Sequence, residues 1–447
     1  MKPRIVVVGG GLAGLSAAVA ALDGGAEVTL LESRPRLGGA TWSFERRGLV
    51  FDNGQHVHLR CCTEYRSFLE RLGTAHLAPL QGRLALPVLR PGREATKLAW
   101  IRRSSLPAPL HLAPTLLSYG HLGLAERLRL LVPAARLRMC DLDDPRLDEE
   151  TFAAFLRRTG QSEGAIEALW DLIALPTTNL RADEVSLSLA AKVFKTGLLT
   201  KADAADIGWS QVPLASLHVE PAVRLVERQG TVHTKARVVR IDGGEAPGVT
   251  LEDGSQLRAD AVVLAVPHEA AADLLPPGAH PDPQGLKGLG TSPIVNVHVV
   301  YDRPVTAHAF AAGLGATAQF VFDRTKAAGA ERGQVLAVSI SAADAEIGER
   351  PEALIERVTG ELRLLFPSAR RAEVVDAVVT REHDATFRGV PGTRKLRPGP
   401  ETGLANLFLA GAWTDTGWPA TMEGAVRSGR AAAARALRTA VAREVLV

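Results

Sequence analysis

A glycine-rich turn after the first apolar run constrains the fold of this 447-residue chain more than any other feature. Residues 5–8 are apolar, and Gly9-Gly10-Gly11-Leu12-Ala13-Gly14 follows them, then an alanine-rich stretch, a second apolar run at 28–31 and Glu32. Strand, G-x-G-x-x-G turn, helix, strand and terminal acid in this order are typical of a dinucleotide-binding βαβ unit. The glycines permit a tight turn, the approach of a pyrophosphate to the helix N-terminus, and close packing of helix on sheet.

The residues after the second strand indicate which dinucleotide binds. Glu32 is placed to accept hydrogen bonds from both hydroxyls of an adenosine ribose and would repel a 2′-phosphate, so NADP is disfavoured. The next loop, Arg34-Pro35-Arg36-Leu37-Gly38-Gly39, has two cations and a second glycine pair. Many large flavoproteins have such a loop, and ordinary nicotinamide dehydrogenases do not. We therefore expect noncovalently bound FAD, with a glycine-rich turn that binds no ligand as the alternative.

Composition excludes several classes of protein. A net charge of +3 without a block of five like charges gives no footprint for nucleic acid. The three cysteines cannot form a disulfide framework, and no His or Cys spacing resembles a metal site. Cys61-Cys62 is interpreted as a pair of small, partly buried residues, and a redox-active vicinal pair is the alternative. No later run reaches ~20 apolar residues without a charge, so a cytoplasmic location is expected.

A chain of this length is expected to form two domains. The fold class predicted here is α/β: a Rossmann-like FAD-binding domain of 1–75, 209–275 and 396–447, interrupted by an α+β substrate-binding domain of 76–208 and 276–395. The first domain has a mixed sheet, a β meander within 231–266, a buried strand at 406–410 and a closing helix at 424–445. Residues 76–208 are interpreted as helical segments with long loops, and strands are predicted at 294–301, 319–322 and 335–341.

Residues 124–139 alternate apolar stripes with arginines, and Pro133 must kink or divide this helix. With Arg102-Arg103, the helix would suit a shallow landing on anionic lipid at the inner face of a membrane. An amphipathic helix packed on its own domain is the alternative.

The second strong signal is Leu407-Phe408-Leu409-Ala410-Gly411-Ala412-Trp413-Thr414, followed by Pro419-Ala420-Thr421-Met422-Glu423-Gly424. The pattern predicts a buried strand, a glycine turn and the start of a helix. The helix dipole and the N–H groups around Met422 and Glu423 would favour the negative charge that the pyrimidine edge of a flavin gains on reduction. A simple strand-to-helix connection is the alternative.

Together these motifs resemble those of the flavin amine oxidase and phytoene desaturase superfamily. Within it, Asp52-Asn53-Gly54-Gln55-His56-Val57 and Ser292-Pro293-Ile294-Val295-Asn296-Val297 look like the squalene-associated FAD-dependent desaturases, which are hydroxysqualene dehydroxylases. Two positions depart from the pattern. Ala40 stands where many relatives have Arg, and Ala412 where many carotenoid desaturases have Asp, which removes two usual cofactor contacts; Arg34 and Asp415 are the candidates to replace them.

The resemblance implies an enzyme that uses reduced FAD to replace the hydroxyl of hydroxysqualene, a C30 polyprenoid, with hydrogen, giving squalene for hopanoid synthesis. Because the hydroxyl is allylic, its protonation and loss would leave a delocalised cation for the flavin to quench. His56 is the first candidate acid and Asp415 the second; a histidine bonded to backbone and a turn residue are the respective alternatives. The implied cofactor contacts are Gly9, Gly11, Leu12, Ala13, Gly14, Glu32, Ser33, Arg34, Gly38, Gly39, Ala40, Gly54, Gln55, His56, Val238, Gly411, Ala412, Ala420, Thr421 and Met422.

Three other functions remain open. A carotenoid or polyprene desaturase would use the flavin in the opposite direction and need no acid. An amine oxidase usually clamps its amine between aromatic rings, and this chain has three Tyr and 5% aromatic residues. A non-catalytic prenyl-binding escort resembling the Rab GDP-dissociation inhibitors would not keep both cofactor motifs. The sequence identifies no electron donor for the flavin.

Overall fold

The computed structural model describes residues 2–92, 95–244 and 247–444. Met1 and residues 445–447, which the predicted cofactor domain includes, lie outside the described residues, as do residues 245–246. In the described part of the chain the α-helices are α1 (Leu12–Asp23), α2 (Thr63–Leu72), α3 (Ala113–Ser118), α4 (Leu124–Arg129), α5 (Leu131–Met139), α6 (Phe152–Arg158), α7 (Glu163–Ala165), α8 (Leu172–Thr178), α9 (Leu187–Phe194), α10 (Glu220–Glu227), α11 (His268–Leu274), α12 (Pro351–Leu365) and α13 (Met422–Glu444).

A parallel sheet contains the glycine turn and the closing strand. In spatial order, its strands among the described residues are β19 (Leu407–Leu409), β13 (Ala261–Leu264), β1 (Arg4–Val8), β2 (Glu27–Leu31) and β9 (Thr231–His233). The side chains of β1 alternate between two cores, with Ile5 and Val7 in one and Val6 and Val8 in the other. Burial on both faces explains why this central strand is apolar at successive positions.

The second large sheet is mixed, with both parallel and antiparallel pairs. Its strands in the described chain are β18 (Val374–Phe387), β14 (Thr291–Tyr301), β17 (Gln334–Ser341), β16 (Phe320–Asp323), β15 (Phe310–Gly313), β6 (Ala85–Arg90) and β7 (Lys97–Arg102). The hairpin of β6 and β7 lies within 76–208, where the sequence predicted helical segments and loops. That prediction was wrong for the hairpin because β6 is a short apolar run that gains its burial by pairing in parallel with β15.

Three smaller antiparallel units accompany the two large sheets among the described residues. The β meander consists of β10 (Val238–Asp242), β11 (Gly248–Leu251) and β12 (Gln256–Arg258), whereas the flanking strands β9 and β13 join the parallel sheet instead. Two further pairs are β3 (Ser43–Arg46) with β4 (Leu49–Asp52), and β5 (Val57–Leu59) with β8 (Ile207–Trp209). The domain boundaries given above remain a prediction.

The helix predicted at 124–139 is divided, with α4 ending at Arg129 and α5 beginning at Leu131. Pro133 has no N–H to offer the carbonyl of Arg129, and that carbonyl accepts a hydrogen bond from Gln161 Nε2 instead, at 3.0 Å. Among the described helices, none combines the length and the apolar character needed to cross a membrane.

Candidate cofactor and active site

The three glycines of the first turn have three different environments. Gly9 has φ +107°, and a Cβ there would lie 2.4 Å from the carbonyl oxygen of Ala265. A Cβ on Gly14 would lie 1.8 Å from the Gly9 carbonyl oxygen, which is the close helix-to-strand contact expected from the sequence. A Cβ on Gly11 would meet only Gly39 Cα, at 3.8 Å, so the space beside Gly11 is open to a ligand.

The carboxylate of Glu32 is oriented by the turn that it faces. Glu32 is buried at the end of β2, and its Oε2 accepts a hydrogen bond from the Gly10 N–H at 2.8 Å. Its Oε1 accepts from the Arg34 N–H at 2.8 Å and from Ser33 Oγ at 3.2 Å. The acid therefore stands beside the glycine turn, as a ribose-binding group requires.

The second glycine pair packs directly on the first turn. The Gly38 N–H donates to the Gly10 carbonyl at 2.9 Å, and Gly11 and Gly38 form a parallel bridge. Gly39 has φ +56°, and a Cβ there would lie 2.9 Å from Gly11 Cα. Ala40 is exposed and has only a methyl group at the position where many relatives have Arg.

Two features show that these residues fit the pyrophosphate of a dinucleotide. Helix α1 begins at Leu12 and Ala13 without a side-chain cap, because its N-cap is Gly11, so its first N–H groups are available to an anion. Arg36 Nη1 is buried and has no hydrogen-bond partner within the described residues. The sequence analysis named Arg34 as a candidate to replace the missing cofactor contact, but its side chain is exposed. Arg36 could have been recognised as the second cation of the same loop.

The segment before the meander runs beside the proposed ribose site. The Ala236 N–H donates to the Glu32 carbonyl at 2.9 Å, and the Lys235 N–H donates to the Arg34 carbonyl at 3.1 Å. Val238 follows as the buried first residue of β10. Its predicted contact with the cofactor remains a prediction.

A buried ion pair supports the Asp52-Asn53-Gly54 turn from behind. Arg324 Nη2 donates to Asp52 Oδ2 at 2.9 Å, and both side chains are almost fully buried. Asp52 Oδ1 accepts from Ser43 Oγ at 2.6 Å and from the Leu214 N–H at 2.9 Å. Burial lowers the pKa of Arg324 and Asp52 opposes that shift. The sequence did not reveal this pair, since its members are far apart along the chain.

Asn53 connects the turn to the mixed sheet. Its backbone carbonyl accepts hydrogen bonds from Asn296 Nδ2 at 3.2 Å and Thr380 Oγ1 at 2.6 Å. Its Oδ1 accepts from the Trp42 N–H at 3.0 Å. Trp42 Nε1 in turn donates to Glu382 Oε1 at 3.0 Å. The cofactor-side loops and the mixed sheet therefore share one polar network.

His56 is bonded to the backbone of its own loop. Its Nδ1 lies 3.1 Å from the Gly54 carbonyl, which can only accept, so Nδ1 carries the hydrogen and Nε2 of the neutral ring is an acceptor. Burial lowers the pKa of His56, which favours that neutral form. Gln55 Nε2 donates to the His56 carbonyl at 3.2 Å. A Cβ on Gly54 would lie 2.9 Å from Asn296 Nδ2, so the loop touches β14 closely. The role of His56 as an acid remains a prediction.

The glycine turn after β19 is held by its neighbours. Gly411 has φ +149°, and a Cβ there would lie 2.3 Å from Trp413 Nε1. The Gly411 N–H donates to Ser428 Oγ at 2.9 Å, and Trp413 Nε1 donates to the Val266 carbonyl at 2.9 Å. Ala412 has no polar side-chain atom to offer a cofactor.

Arg397 organises the loop that follows, and no sequence motif pointed to it. The guanidinium is buried, and it donates to the carbonyls of Trp413, Thr414 and Trp418 at 3.1, 2.6 and 2.8 Å. Its Cζ lies 4.7 Å from the ring centroid of Phe387. Burial lowers the pKa of Arg397 to about 10, so it remains a cation at neutral pH.

Asp415 lies in the same loop, and its side chain is exposed. Its Oδ1 accepts from the Gly417 N–H at 3.1 Å, which is the contact of a turn residue. It also lines a small polar pocket with Lys192, Arg394 and Arg397. The assignment of Asp415 as second candidate acid remains a prediction.

Helix α13 begins where the sequence predicted the flavin-facing helix N-terminus. Thr421 Oγ1 accepts from the Gly424 N–H at 3.2 Å, so Thr421 caps the helix, and half-buried Ala420 precedes it. The N–H groups of Met422 and Glu423 lie before the first intrahelical bond and remain available to a ligand. The Glu423 carboxylate accepts from the Tyr65 N–H at 2.8 Å and so caps α2 as well.

Behind the second glycine pair is a buried hydrogen-bond chain. Thr41 Oγ1 donates to the Gly38 carbonyl at 2.9 Å, so it accepts from His218 Nε2, also at 2.9 Å. His218 Nδ1 then accepts from the Tyr65 hydroxyl, at 3.2 Å. Burial lowers the pKa of His218 to about 3, which keeps the ring neutral.

Cys61 and Cys62 are half-buried and free, as the sequence indicated. In the described ranges no group of His, Cys, Asp and Glu is arranged to hold a metal ion.

Comparison with known proteins gives matches along nearly all of the chain. The model of a family described as flavin containing amine oxidoreductase matches residues 12–437. The hydroxysqualene dehydroxylase of Rhodopseudomonas palustris is 30% identical over 97% of this chain and 98% of its own length. That of Sinorhizobium fredii is 29% identical over 98% and 99%. A probable zeta-carotene desaturase of Synechococcus elongatus is 27% identical over 96% and 98%.

Solved structures support the fold. Cyclohexylamine oxidase from Brevibacterium oxydans superposes with a TM-score of 0.72 at 20% identity, covering 99% of this chain and 100% of the other. At this identity the likeness shows the fold and no more.

Proposed function

The chain belongs to the family of flavin containing amine oxidoreductases and is an FAD-dependent oxidoreductase, and from this premise we propose that it replaces the hydroxyl group of hydroxysqualene with hydrogen. The observation that carries the proposal is the end-to-end match to two hydroxysqualene dehydroxylases. The product would be squalene, and water would leave. The geometry supports it by keeping both cofactor motifs intact.

FAD would be held noncovalently along the open groove beside Gly11. Glu32 would bind the ribose, the N-terminus of α1 the pyrophosphate, and the start of α13 the pyrimidine edge of the flavin. Bound reduced FAD supplies the hydride that replaces the hydroxyl.

The protein's own task is to deliver a proton to the leaving hydroxyl and to exclude water. His56 would take up a proton from solvent and hold it at Nε2, because Nδ1 is already bonded to the Gly54 carbonyl. Asp415 is the second proposed acid. Asn296 would line the substrate tunnel from β14, next to the turn that carries His56.

The test is an anaerobic incubation of the purified protein with hydroxysqualene and chemically reduced FAD. Squalene should appear in proportion to the enzyme, and a Gly11→Val variant that no longer binds FAD should form none. Wild-type protein that binds FAD and leaves hydroxysqualene unchanged would contradict the proposal.

A polyprene desaturase is the second candidate, favoured by the match to zeta-carotene desaturases. It would use oxidised FAD and form a new double bond, so incubation of the oxidised protein with zeta-carotene distinguishes the two. A desaturated carotene with no squalene in the parallel reaction would select this candidate.

Contact with a membrane is the proposed route by which such a water-insoluble substrate enters. Within the described residues, nine of the thirteen exposed large apolar side chains lie between 98 and 139. We call this set the 98–139 apolar surface: Leu98, Leu106, Leu110, Leu117, Leu124, Leu128, Leu131, Val132 and Met139. Exposed Arg129 and Arg136 accompany it, which suits the anionic headgroups of an inner, cytoplasmic leaflet.

The membrane proposal can be tested by sedimentation with vesicles. Leu117→Glu, at the most exposed leucine of the surface, should reduce binding to anionic vesicles, whereas Val375→Glu, at an exposed apolar residue of β18, should not. Equal binding by both variants and the wild-type protein would contradict it. The alternative of a helix packed on its own domain predicts that result.

A further inference from the structure

Arg36 is a half-buried arginine whose guanidinium group is only partly satisfied. Its Cζ lies 3.7 Å from the ring centroid of Trp42, a stacked arrangement that fixes the plane of the guanidinium. Nη1 is buried and unpaired among the described residues. Burying a charged donor without an acceptor is costly. Nη1 of Arg36 therefore lacks an acceptor that a bound anionic ligand would supply.

The charges around Arg36 show which part of the groove it faces. Burial and Arg34 lower the pKa of Arg36, while Glu382 and Glu32 act in the opposite direction. Arg36 is therefore within electrostatic reach both of Glu32, the ribose-binding acid, and of Glu382, which belongs to the Asn53 network.

Two neighbouring residues are weaker candidates than Arg36 for binding an anionic ligand. Ala40 has no charge, and the Arg34 side chain is exposed while its backbone N–H serves Glu32. The open space beside Gly11 and the uncapped start of α1 provide a second, independent sign of an anionic ligand, at the turn on which the Arg36 loop packs through the Gly38–Gly10 hydrogen bond.

We infer that Arg36, stacked on Trp42, is the cation that binds the pyrophosphate of FAD and takes the place of the arginine that many relatives have at position 40. Nη1 donates to a phosphate oxygen, and the N–H groups of α1 bind the same group from the helix side. The inference concerns the cofactor alone and holds whichever polyprenoid is the substrate.

The test is a titration of the apo-protein with FAD, followed by the quenching of flavin fluorescence. Arg36→Gln should raise the Kd for FAD by about 10–100-fold, as expected for the loss of a hydrogen bond to a charged group. The matched control Arg83→Gln, at an exposed arginine outside the glycine loops, should change it by less than about threefold, and Arg34→Gln should cost less affinity than Arg36→Gln. ADP, used as a competitor, should lose affinity in the same way. An unchanged Kd in Arg36→Gln, or a larger loss in Arg34→Gln, would overturn the inference.

A rescue experiment separates binding from a structural role. Arg36→Gln combined with Ala40→Arg should recover most of the FAD affinity, because the cation returns to the groove from the neighbouring position. The melting temperature of each apo-protein is measured alongside. A double variant that stays weak, together with an apo-protein destabilised by Arg36→Gln, would show that Arg36 only supports Trp42 and would refute the inference.

Discussion

The side-chain amide of Asn53 donates a hydrogen bond to Glu382 Oε1 at 2.9 Å, which ties the cofactor-side turn to strand β18. The same amide donates to the Ala40 carbonyl at 2.8 Å. One residue therefore ties the second glycine loop to the mixed sheet.

Replacing Asn53 should weaken the fold itself. Asn53 is buried, and Asn53→Ala removes its hydrogen bonds to the half-buried Glu382 carboxylate and Trp42 N–H, so we expect the free energy of unfolding of the apo-protein to fall by about 1–3 kcal/mol, measured by urea denaturation. Glu382→Gln keeps an oxygen that can accept and should cost less than Glu382→Ala. Equal losses in the two Glu382 variants would contradict this account.

Gly11 and Gly14 should respond differently to the same substitution. Gly11→Ala places a methyl group in open space, so the apo-protein should keep its stability while FAD affinity falls by about tenfold or more, because the pyrophosphate can no longer approach. Gly14→Ala drives a methyl group into the Gly9 carbonyl and should destabilise the apo-protein by about 1–3 kcal/mol or more. Thermal melting with and without FAD distinguishes them, and similar behaviour of both variants would count against the assigned roles.

The buried chain through His218 predicts sensitivity to acid. Burial lowers the pKa of His218 to about 3, from an unfolded value of about 6.5, so its contribution to stability is complete above about pH 6.5 and is lost as the pH falls toward 3. The loss is at most ~1.4 kcal/mol per pH unit for one histidine. His218→Gln should flatten the fall in unfolding free energy between pH 6.5 and 4, leaving the part due to the other histidines whose pKa burial lowers, among them His56, His58 and His298. If the unfolding free energy of His218→Gln falls with pH as steeply as that of the wild-type protein, His218 does not contribute to the acid sensitivity.

The pH dependence of turnover should identify the acid. Burial lowers the pKa of His56, so if His56 donates the proton, kcat should rise as the pH falls below about 6.5. His56→Asn should then lower kcat by about 10²–10⁴-fold and remove that rise. A full pH profile retained in His56→Asn and lost in Asp415→Asn would assign the role to Asp415.

Local spacing was enough to predict the glycine turn, Glu32 and the start of α13, because each of these depends on residues close together in the sequence. The hairpin of β6 and β7 was missed because its strands are buried by a partner, β15, that lies more than two hundred residues away. A short apolar run without that partner can be read as part of a helix.

The polar network of the site was beyond prediction for the same reason. Asn53 and Glu382 are 329 positions apart, and Asp52 and Arg324 are 272 apart. No local pattern specifies such pairs; they follow from the way the two sheets meet. Arg36 was visible as a cation, but only the ring of Trp42 and the unpaired Nη1 distinguish it from Arg34.

Helix α13 crosses α1 so closely that a Cβ on Gly429 would lie 2.1 Å from the Ala13 carbonyl oxygen. During translation, the ribosome therefore releases α1 long before the helix that covers it has been made. For most of synthesis the nascent chain carries an uncovered apolar segment, and such exposed surface favours aggregation. Because the same helix also carries the N–H groups proposed to face the flavin, we expect complete cofactor binding to be a late step in the maturation of the protein.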